Sequence, residues 1–576
     1  MNRRIPLITI LVTALLISAL RSIPDDRRSS PNSTAVRTPV PVVAEGSLTK
    51  RRILMIGLDG CSYDLVRTWA GEGKLPHLAS LIANGASGHL STIETPRLPG
   101  ARSTISSPVV WTTMATGKLP DKHGIWDFGQ PFPEELYAWM DHEAEIILPT
   151  TLRTDLVVHV IAKAAPDSGA IRAMVSLNGV GLPSVSLTEQ SADAIIRIPE
   201  GAVSEERNRL ELRIDRGEGR AVGCRLVRVE SGDGRFVGAV DPWRSADAFA
   251  SGWHLPDTTA RPLIQTAHRQ VRAFWDILGE RGRSVALVGW WGTWPAYPIN
   301  GVMLSSHLGL RGKKTLTTRS ADEVLHNTPH LTYPEDYLEH ILDGGLVPQD
   351  PKEELARTIV DLRGCQIEAG SLSAETLEDV FAQDTFYRNL SVDLLSGRGD
   401  YDLLTVYFEG MDVVGHKFYN FLAGRRSKDN WIACPDAGRL ERVVENYYRY
   451  VDRMIGELTE KARGRYDTTM IITDHGFDVH GHADSGWVLL SGPGIEKTLI
   501  RHASVRDVTP TILYMLGLPV ADDMDGEPML EAFSNGHRDA VARIPTYESR
   551  PILIAPEASE AEKELEERFR SLGYIE

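Results

Sequence analysis

Three short signatures combine carboxylates with imidazoles. Asp412-Val413-Val414-Gly415-His416 sets the two groups four residues apart, on one face of a helical turn. Asp474-His475-Gly476 sets them side by side, and His482 follows in Gly481-His482-Ala483. Asp59-Gly60 closes an apolar run near the start of the chain. Imidazole with carboxylate is the donor mix of zinc, with manganese or iron as alternatives. An oxygen-only calcium or magnesium site has no need of histidines. His480 competes with His482 for the last ligand place, and His482 is preferred on the residues that follow it. Each signature also has a bland reading: a surface pair, or a turn with its glycine left-handed. Those readings would have to hold at three places at once, which counts against them.

A hydroxyl group comes next. In Ser106-Ser107-Pro108-Val109-Val110-Trp111, the spacing puts Ser107 at a helix N-terminus and Pro108 in the first helical position. Free N–H groups and the positive dipole end suit an anionic phosphate there. Alone, Ser107 reads as a capping serine; beside metal ions it reads as a nucleophile.

The elements that must position these groups are apolar runs ending in acid. Ile53 to Leu58, Val285 to Val288, Leu403 to Phe408 and Met470 to Thr473 have the continuous burial pattern of parallel strands covered on both faces. Helical patterns such as Ala267 to Glu280 and Arg439 to Ala462 lie between them. The fold class is therefore α/β, a doubly wound, mostly parallel sheet whose ligand crevice lies at the carboxyl ends of the strands. Asp59, Asp412 and Asp474 converge there, and three carboxylates together demand a cation. From Leu152 to Val240 short alternating segments and Gly/Asp-rich turns replace this texture, predicting an inserted β-rich domain. The domain windows are 51–150 for the first part of the catalytic core, 151–245 for the insertion and 246–540 for the second part. A C-terminal helical tail over 541–576 carries an amphipathic pattern from Ala558 to Leu572.

The 576 residues are 42% apolar and 24% charged, an ordinary globular mix, and the net charge of −16 argues against nucleic acid as partner. Arg3 and Arg4 precede the uncharged run Ile5 to Leu20, which at about 1.5 Å per residue reaches about 24 Å, short of a bilayer core of about 30 Å. Residues 1–21 thus read as a cleaved signal peptide or an uncleaved membrane anchor, and 22–50 as a linker. Both readings make the catalytic part extracytoplasmic, periplasmic or secreted. The four cysteines cannot build a disulfide scaffold, and no pairing is assigned. Trp111, Trp291 and Trp294 read as core before they read as an aromatic substrate pocket.

The ordered set of motifs resembles the alkaline phosphatase superfamily and, within it, the type I phosphodiesterase/nucleotide pyrophosphatase branch. The resemblance rests on Ile56-Gly57-Leu58-Asp59-Gly60, on Thr116 to Ile125, on Asp412 to His416, on Asp474-His475-Gly476-Phe477, on His482 to Gly494 and on Asp507 to Leu513. It covers residues 51 to about 130 and 265 to 530, and not the β insertion. It implies two divalent metal ions, zinc or else manganese. One would be held by Asp59, Asp474, His475 and the nucleophile, the other by Asp412, His416 and His482. Counting back from Thr116-Gly117 puts that nucleophile at Ser107. The reaction implied is in-line attack on phosphorus, a phosphoserine, then hydrolysis. The Asn that nucleotide pyrophosphatases keep three residues after the nucleophile is Val110 here. Val110 also stands where the sulfatase motif needs Arg, and the phosphate-binding Arg of alkaline phosphatases has no match. The first departure counts against a nucleotide preference, the second against a sulfatase, and the third against a monoesterase, leaning toward diesters. The expectation is an extracytoplasmic phosphodiesterase acting on a phosphate ester. The alternatives are a phospho-group transferase on lipid or glycan head groups, which an uncleaved membrane anchor favours, and a non-catalytic binding protein on the same fold, which the complete ligand set disfavours.

Overall fold

Every residue of the strands Ile53–Leu58 and Leu403–Phe408 is buried, which requires cover on both faces of the sheet they share. This computed structural model describes residues 51–548, apart from 94–104, 133–136, 151, 167, 191, 215–220, 233–235, 243–244, 256–261, 309–327, 368–372, 398, 423–431, 435, 437, 479–480, 536–537 and 539. Segment 1–21, linker 22–50, the pattern Ala558 to Leu572 and His480 lie outside the described residues. Among the described residues, no helix is long and apolar enough to cross a membrane.

Among the described residues the sheet has nine strands. Their order is Thr332–Tyr333, Gly301–Leu304, Val285–Val288, Leu403–Phe408, Ile53–Leu58, Thr468–Ile472, Ser485–Ser491, Ala86–Ser91 and Leu499–Ser504. The five strands from Gly301–Leu304 to Thr468–Ile472 are parallel. Thr332–Tyr333 and Ser485–Ser491 run against their neighbours, making a mixed, mostly parallel α/β sheet. Two groups of helices accompany it. Ser373–Ser396, Gly410–Leu422 and Val443–Ala462 pack on one another, while Val508–Met515 packs against Ser107–Thr116 and Phe274–Glu280. The Val443–Ala462 helix turns its apolar stripe inward, burying Val444, Tyr447, Val451, Ile455 and Leu458.

A second sheet of nine strands is antiparallel and has its own core around Val158, Val160, Leu210, Val227 and Val229. Its Leu156–Ala164 strand alternates buried and half-buried residues along its whole length, the period of a sheet with one solvated face. The strands begin at Ala138–Ile147 and end at Phe249–His254, which pair with each other and extend past the 151–245 window. Asp141, Glu143 and Glu145 break the apolar signal of the first of these strands.

One helix is shorter than its sequence pattern. The pattern from Ala267 gives an α-helix only over Phe274–Glu280, preceded by a single 3₁₀ turn at Thr266–His268. The intervening Arg269 is buried on Asp276 at 2.8 Å and the Tyr297 hydroxyl at 2.8 Å, and Asp276 accepts from the Ala273 N–H to start the helix. Cys365 and Cys434 form a disulfide. The pairing of Gln366–Ile367 with Ile432–Ala433 brings together cysteines 69 residues apart. Cys61 and Cys224 are free and buried.

Candidate metal centre and nucleophile

Three adjacent strands deliver the acidic groups. Asp59 follows Leu58, and its N–H donates to the carbonyl of Phe408 at 2.9 Å, so the sheet ladder itself fixes it. Asp474 and His475 follow the Thr468–Ile472 strand. Asp412 lies in the first turn of the Gly410–Leu422 helix, with His416 one turn on. A short antiparallel pair, Gly476–Asp478 with Gly481–Ala483, folds His482 back until its ring stacks on His475 with centroids 3.9 Å apart. Gly60 is required where it stands: its φ is +65°, and a Cβ would sit 2.5 Å from the Cα of Asp412.

The six ligand candidates fall into two groups, Asp59–Asp474–His475 and Asp412–His416–His482, with donor atoms inside each group within 4.8 Å of one another. Nε2 of His475 lies 3.4 Å from Asp59 Oδ1, 3.4 Å from Asp474 Oδ2 and 3.6 Å from Asp412 Oδ1. Nδ1 of His475 donates to the Gly476 carbonyl at 3.1 Å, which leaves the Nε2 lone pair facing the carboxylates. Asp412 Oδ1, Asp474 Oδ2 and His475 Nε2 are all buried without a hydrogen-bond partner. Each such atom costs about 1–3 kcal/mol when left unsatisfied. Three of them aimed at one another fit a cation between them.

The protonation tendencies agree. Burial raises Asp59 well above the ordinary carboxyl value, and Asp474 and Asp412 push it the same way. Asp412 is likewise raised by burial and then by Asp474 and Glu409, and Asp474 is pushed up to about 6 by burial. Burial lowers His475 to about 4 and His482 to about 2, and it lowers His416, which the two other imidazoles depress further. The imidazoles are thus neutral donors at pH 7, and the carboxylates need a positive charge nearby to stay ionised.

Ser107 opens the Ser107–Thr116 helix, every residue of which is buried. Ser106 occupies the N-cap position and Ser107 the first turn, so Pro108 stands second in the helix, one place later than expected. The Ser107 hydroxyl donates to Asp59 Oδ1 at 3.3 Å, next to the first ligand group.

The family model described as type I phosphodiesterase / nucleotide pyrophosphatase matches residues 53–204 and 237–485. The chain belongs to that family. The match runs into the antiparallel sheet, so the β insertion is not outside the resemblance as the sequence motifs had suggested. A 2,3-bisphosphoglycerate-independent phosphoglycerate mutase of Synechococcus elongatus is 24% identical over 252 residues, 40% of this chain and 38% of the mutase. An enzyme of the same description from Methanosarcina barkeri is 26% identical over 143 residues, 23% of each chain. The chain thus spans well under half the length of these curated relatives. Among solved structures, a mutant of the alkaline phosphatase PafA covers 84% of this chain and 99% of its own at 10% identity and a TM-score of 0.38. An inactive murine ectonucleotide pyrophosphatase / phosphodiesterase 5 in complex with AMP covers 84% and 100% at 9% identity and a TM-score of 0.35.

The hydrogen-bonding roles of several residues around these groups carry no motif. Trp111 donates to Asp59 Oδ2 at 3.0 Å, Tyr407 donates to the same oxygen, and Trp291 donates to the Tyr407 hydroxyl at 2.8 Å. Trp294 is buried, with its indole on the Pro329 carbonyl, so none of the three tryptophans is an open aromatic surface. Asp384 receives the N–H groups of Glu409 and Gly410 at 3.2 and 3.1 Å, holding the start of the helix that carries Asp412 and His416. No local pattern marks Asp384; Tyr407 is hidden inside a strand.

Proposed function

We propose that this chain is a metal-dependent phosphoric ester hydrolase, a phosphodiesterase with Ser107 as nucleophile and two zinc ions, working outside the cytoplasm. The observation that carries the reading is the pair of ligand groups with three unsatisfied buried donor atoms, set 3.3 Å behind a helix-terminal serine. Asp59, Asp474 and His475 would hold one ion, and Asp412, His416 and His482 the other; the nitrogen-rich second set favours zinc. Bound there, the ions supply Lewis acidity and neutralise charge on the phosphoryl oxygens. Ser107 Oγ, its proton facing Asp59 Oδ1, attacks phosphorus in line as the bond to the leaving alcohol breaks and that alcohol ends with the serine's proton; water then cleaves the serine–phosphate link, returning the hydroxyl to Ser107 and releasing the phosphomonoester. Low exposure around Asp59, Ser107 and His475 keeps bulk water away from the attacking oxygen. The Cys365–Cys434 disulfide supports an oxidising compartment, as does the basic-then-apolar segment over residues 1–21.

The test is metal content with turnover. The full chain is expected to hold about two zinc per protein, and to cleave bis-p-nitrophenyl phosphate faster than p-nitrophenyl phosphate. Ser107→Ala should lower kcat by on the order of 10⁴-fold or more while the six other ligands stay in place. A metal-free protein, or an undiminished Ser107→Ala variant, would sink the assignment. A second reading, transfer of the phospho group to an alcohol, is favoured by the mutase description of the curated relatives. Glycerol or sugar alcohols that accelerate release of p-nitrophenol and become phosphorylated would mark it.

A further inference from the structure

The two oxygens of Asp59 are not equivalent. Oδ1 faces the Ser107 hydroxyl at 3.3 Å and His475 Nε2 at 3.4 Å, the side of the ligand group. Oδ2 faces away and accepts twice, from the Trp111 indole at 3.0 Å and from the Tyr407 phenol. The phenol oxygen in turn accepts from Trp291 Nε1 at 2.8 Å, so a chain of donors runs from Trp291 through Tyr407 to Asp59. Such chains polarise each successive bond. A carboxylate left alone can meet a cation with one oxygen or two. Two donors on Oδ2 occupy its lone pairs and fix the plane of the group.

The sequence is arranged to make this clamp. Trp111 stands four residues after Ser107 on the same helix, so the serine and one jaw of the clamp move as one rigid body. Tyr407 pairs in register with Gly57 on the neighbouring strand. A Cβ at Gly57 would lie 2.8 Å from the Trp111 ring, so the glycine gives the indole room to cross the strand. The two rings then meet edge to face, centroids 5.0 Å apart at 85°.

We propose that Tyr407 and Trp111 are positioning residues that hold Asp59 as a one-oxygen ligand aligned with Ser107, and that Trp291 orients the Tyr407 hydroxyl. The inference rests on the two-metal reading above. It is tested on the full chain by titrating cobalt(II) and following its visible absorption, a readout of coordination and not of turnover. Asp59→Ala is the reference and should bind one cobalt fewer than the parent. Tyr407→Phe should keep both sites but weaken one by about 10- to 100-fold, the usual range for losing a partner of a ligand. Its absorption band should change, with the unfolding temperature of the metal-free protein close to that of the parent. Trp291→Phe should change the same site in the same direction by a smaller factor, and it decides the matter if Tyr407→Phe does not fold. Should Asp59→Ala bind as much cobalt as the parent, the two-metal reading itself fails and the clamp with it. Should Asp59→Ala lose one cobalt while Tyr407→Phe and Trp291→Phe bind both with the parent's affinity and spectrum, the clamp alone is overturned.

Discussion

The two ligand groups are built from different material. Asp59, Asp474 and His475 sit directly after two neighbouring central strands, and their side chains are at most 2% exposed. Backbone donors and aromatic donors fix them: the Gly60 and His475 N–H groups on Asp474, Trp111 and Tyr407 on Asp59. Asp412, His416 and His482 sit instead on a helix and a short strand pair, and the His416 side chain is 24% exposed. A strand-end ligand inherits the stiffness of the sheet ladder. A helix-borne ligand depends on how the helix start is held and on solvent reaching its outer imidazole. On the proposed two-ion reading, one site is a fixture of the core and the other an accessible annex to it.

The largest expected effect separates them by exchange. A chelator should strip the loaded protein in two phases, the first emptying the Asp412–His416–His482 group. His416→Ala should remove the fast phase, weakening that ion by about tenfold or more, and leave the slow phase intact. A single phase that His416→Ala and Asp474→Ala alter equally would mean the two groups act as one site, and the contrast would dissolve.

Acidity gives a second separation. From about pH 7.5, a unit above the ordinary histidine value, the three imidazoles are essentially neutral in both folded and unfolded chains, so the carboxyl groups decide. A carboxyl raised by folding binds its proton more tightly in the native state. Its contribution is complete below its ordinary value and is lost as pH rises through the folded one. For Asp474 that loss centres on about 6, and Asp59 and Asp412, raised well above 3.8, extend it upward. The metal-free protein should therefore melt lower as pH climbs from about 7.5 to about 9, by on the order of a few degrees. The loaded protein should hold its melting temperature over that range. A metal-free melting temperature that rises instead would mean that these carboxylates ionise without penalty.

The same contrast explains what could be read from the chain. Asp59 and Asp474 were legible because a continuous apolar run stops at an acid, a pattern set by strands buried on both faces. Asp412 and His416 were legible from helical spacing alone. Their supports were not. Tyr407 looks like one more residue of the Leu403–Phe408 strand, and only the register opposite Gly57 shows its role. Cys365 and Cys434 meet through a two-residue strand pairing that carries no periodicity. Apolar spacing carries the helical pattern back to Ala267, while Asp276, paired with buried Arg269 and accepting from the Ala273 N–H, starts the helix at Phe274. Long-range partners decide these features, and local pattern is blind to them.

The smallest expected effect tests whether the annex depends on its helix start. Asp384 Oδ1 receives the Glu409 N–H, and Oδ2 receives the Gly410 N–H and the Tyr447 hydroxyl at 2.9 Å. Gly410 has no side chain because a Cβ would collide with Tyr447 and Asp384. Asn at 384 keeps the shape but turns an NH₂ toward one of these donors, so it removes one acceptor and creates a donor–donor contact. Asp384→Asn is expected to cost about 1 kcal/mol of stability and to speed the fast chelation phase by a few-fold, leaving the slow phase unchanged. Burial pushes the Asp384 carboxyl up to about 7, so the acid becomes neutral, like the amide, as pH falls through that value. In the unfolded chain this carboxyl stays ionised down to its ordinary value, so the parent gains stability from the proton as pH falls, and its advantage over the non-titrating Asp384→Asn should widen toward about pH 5 and shrink toward about pH 9. If Asp384→Asn instead accelerates the slow phase, the helix start supports the strand-end group as well, and the two sites share one foundation.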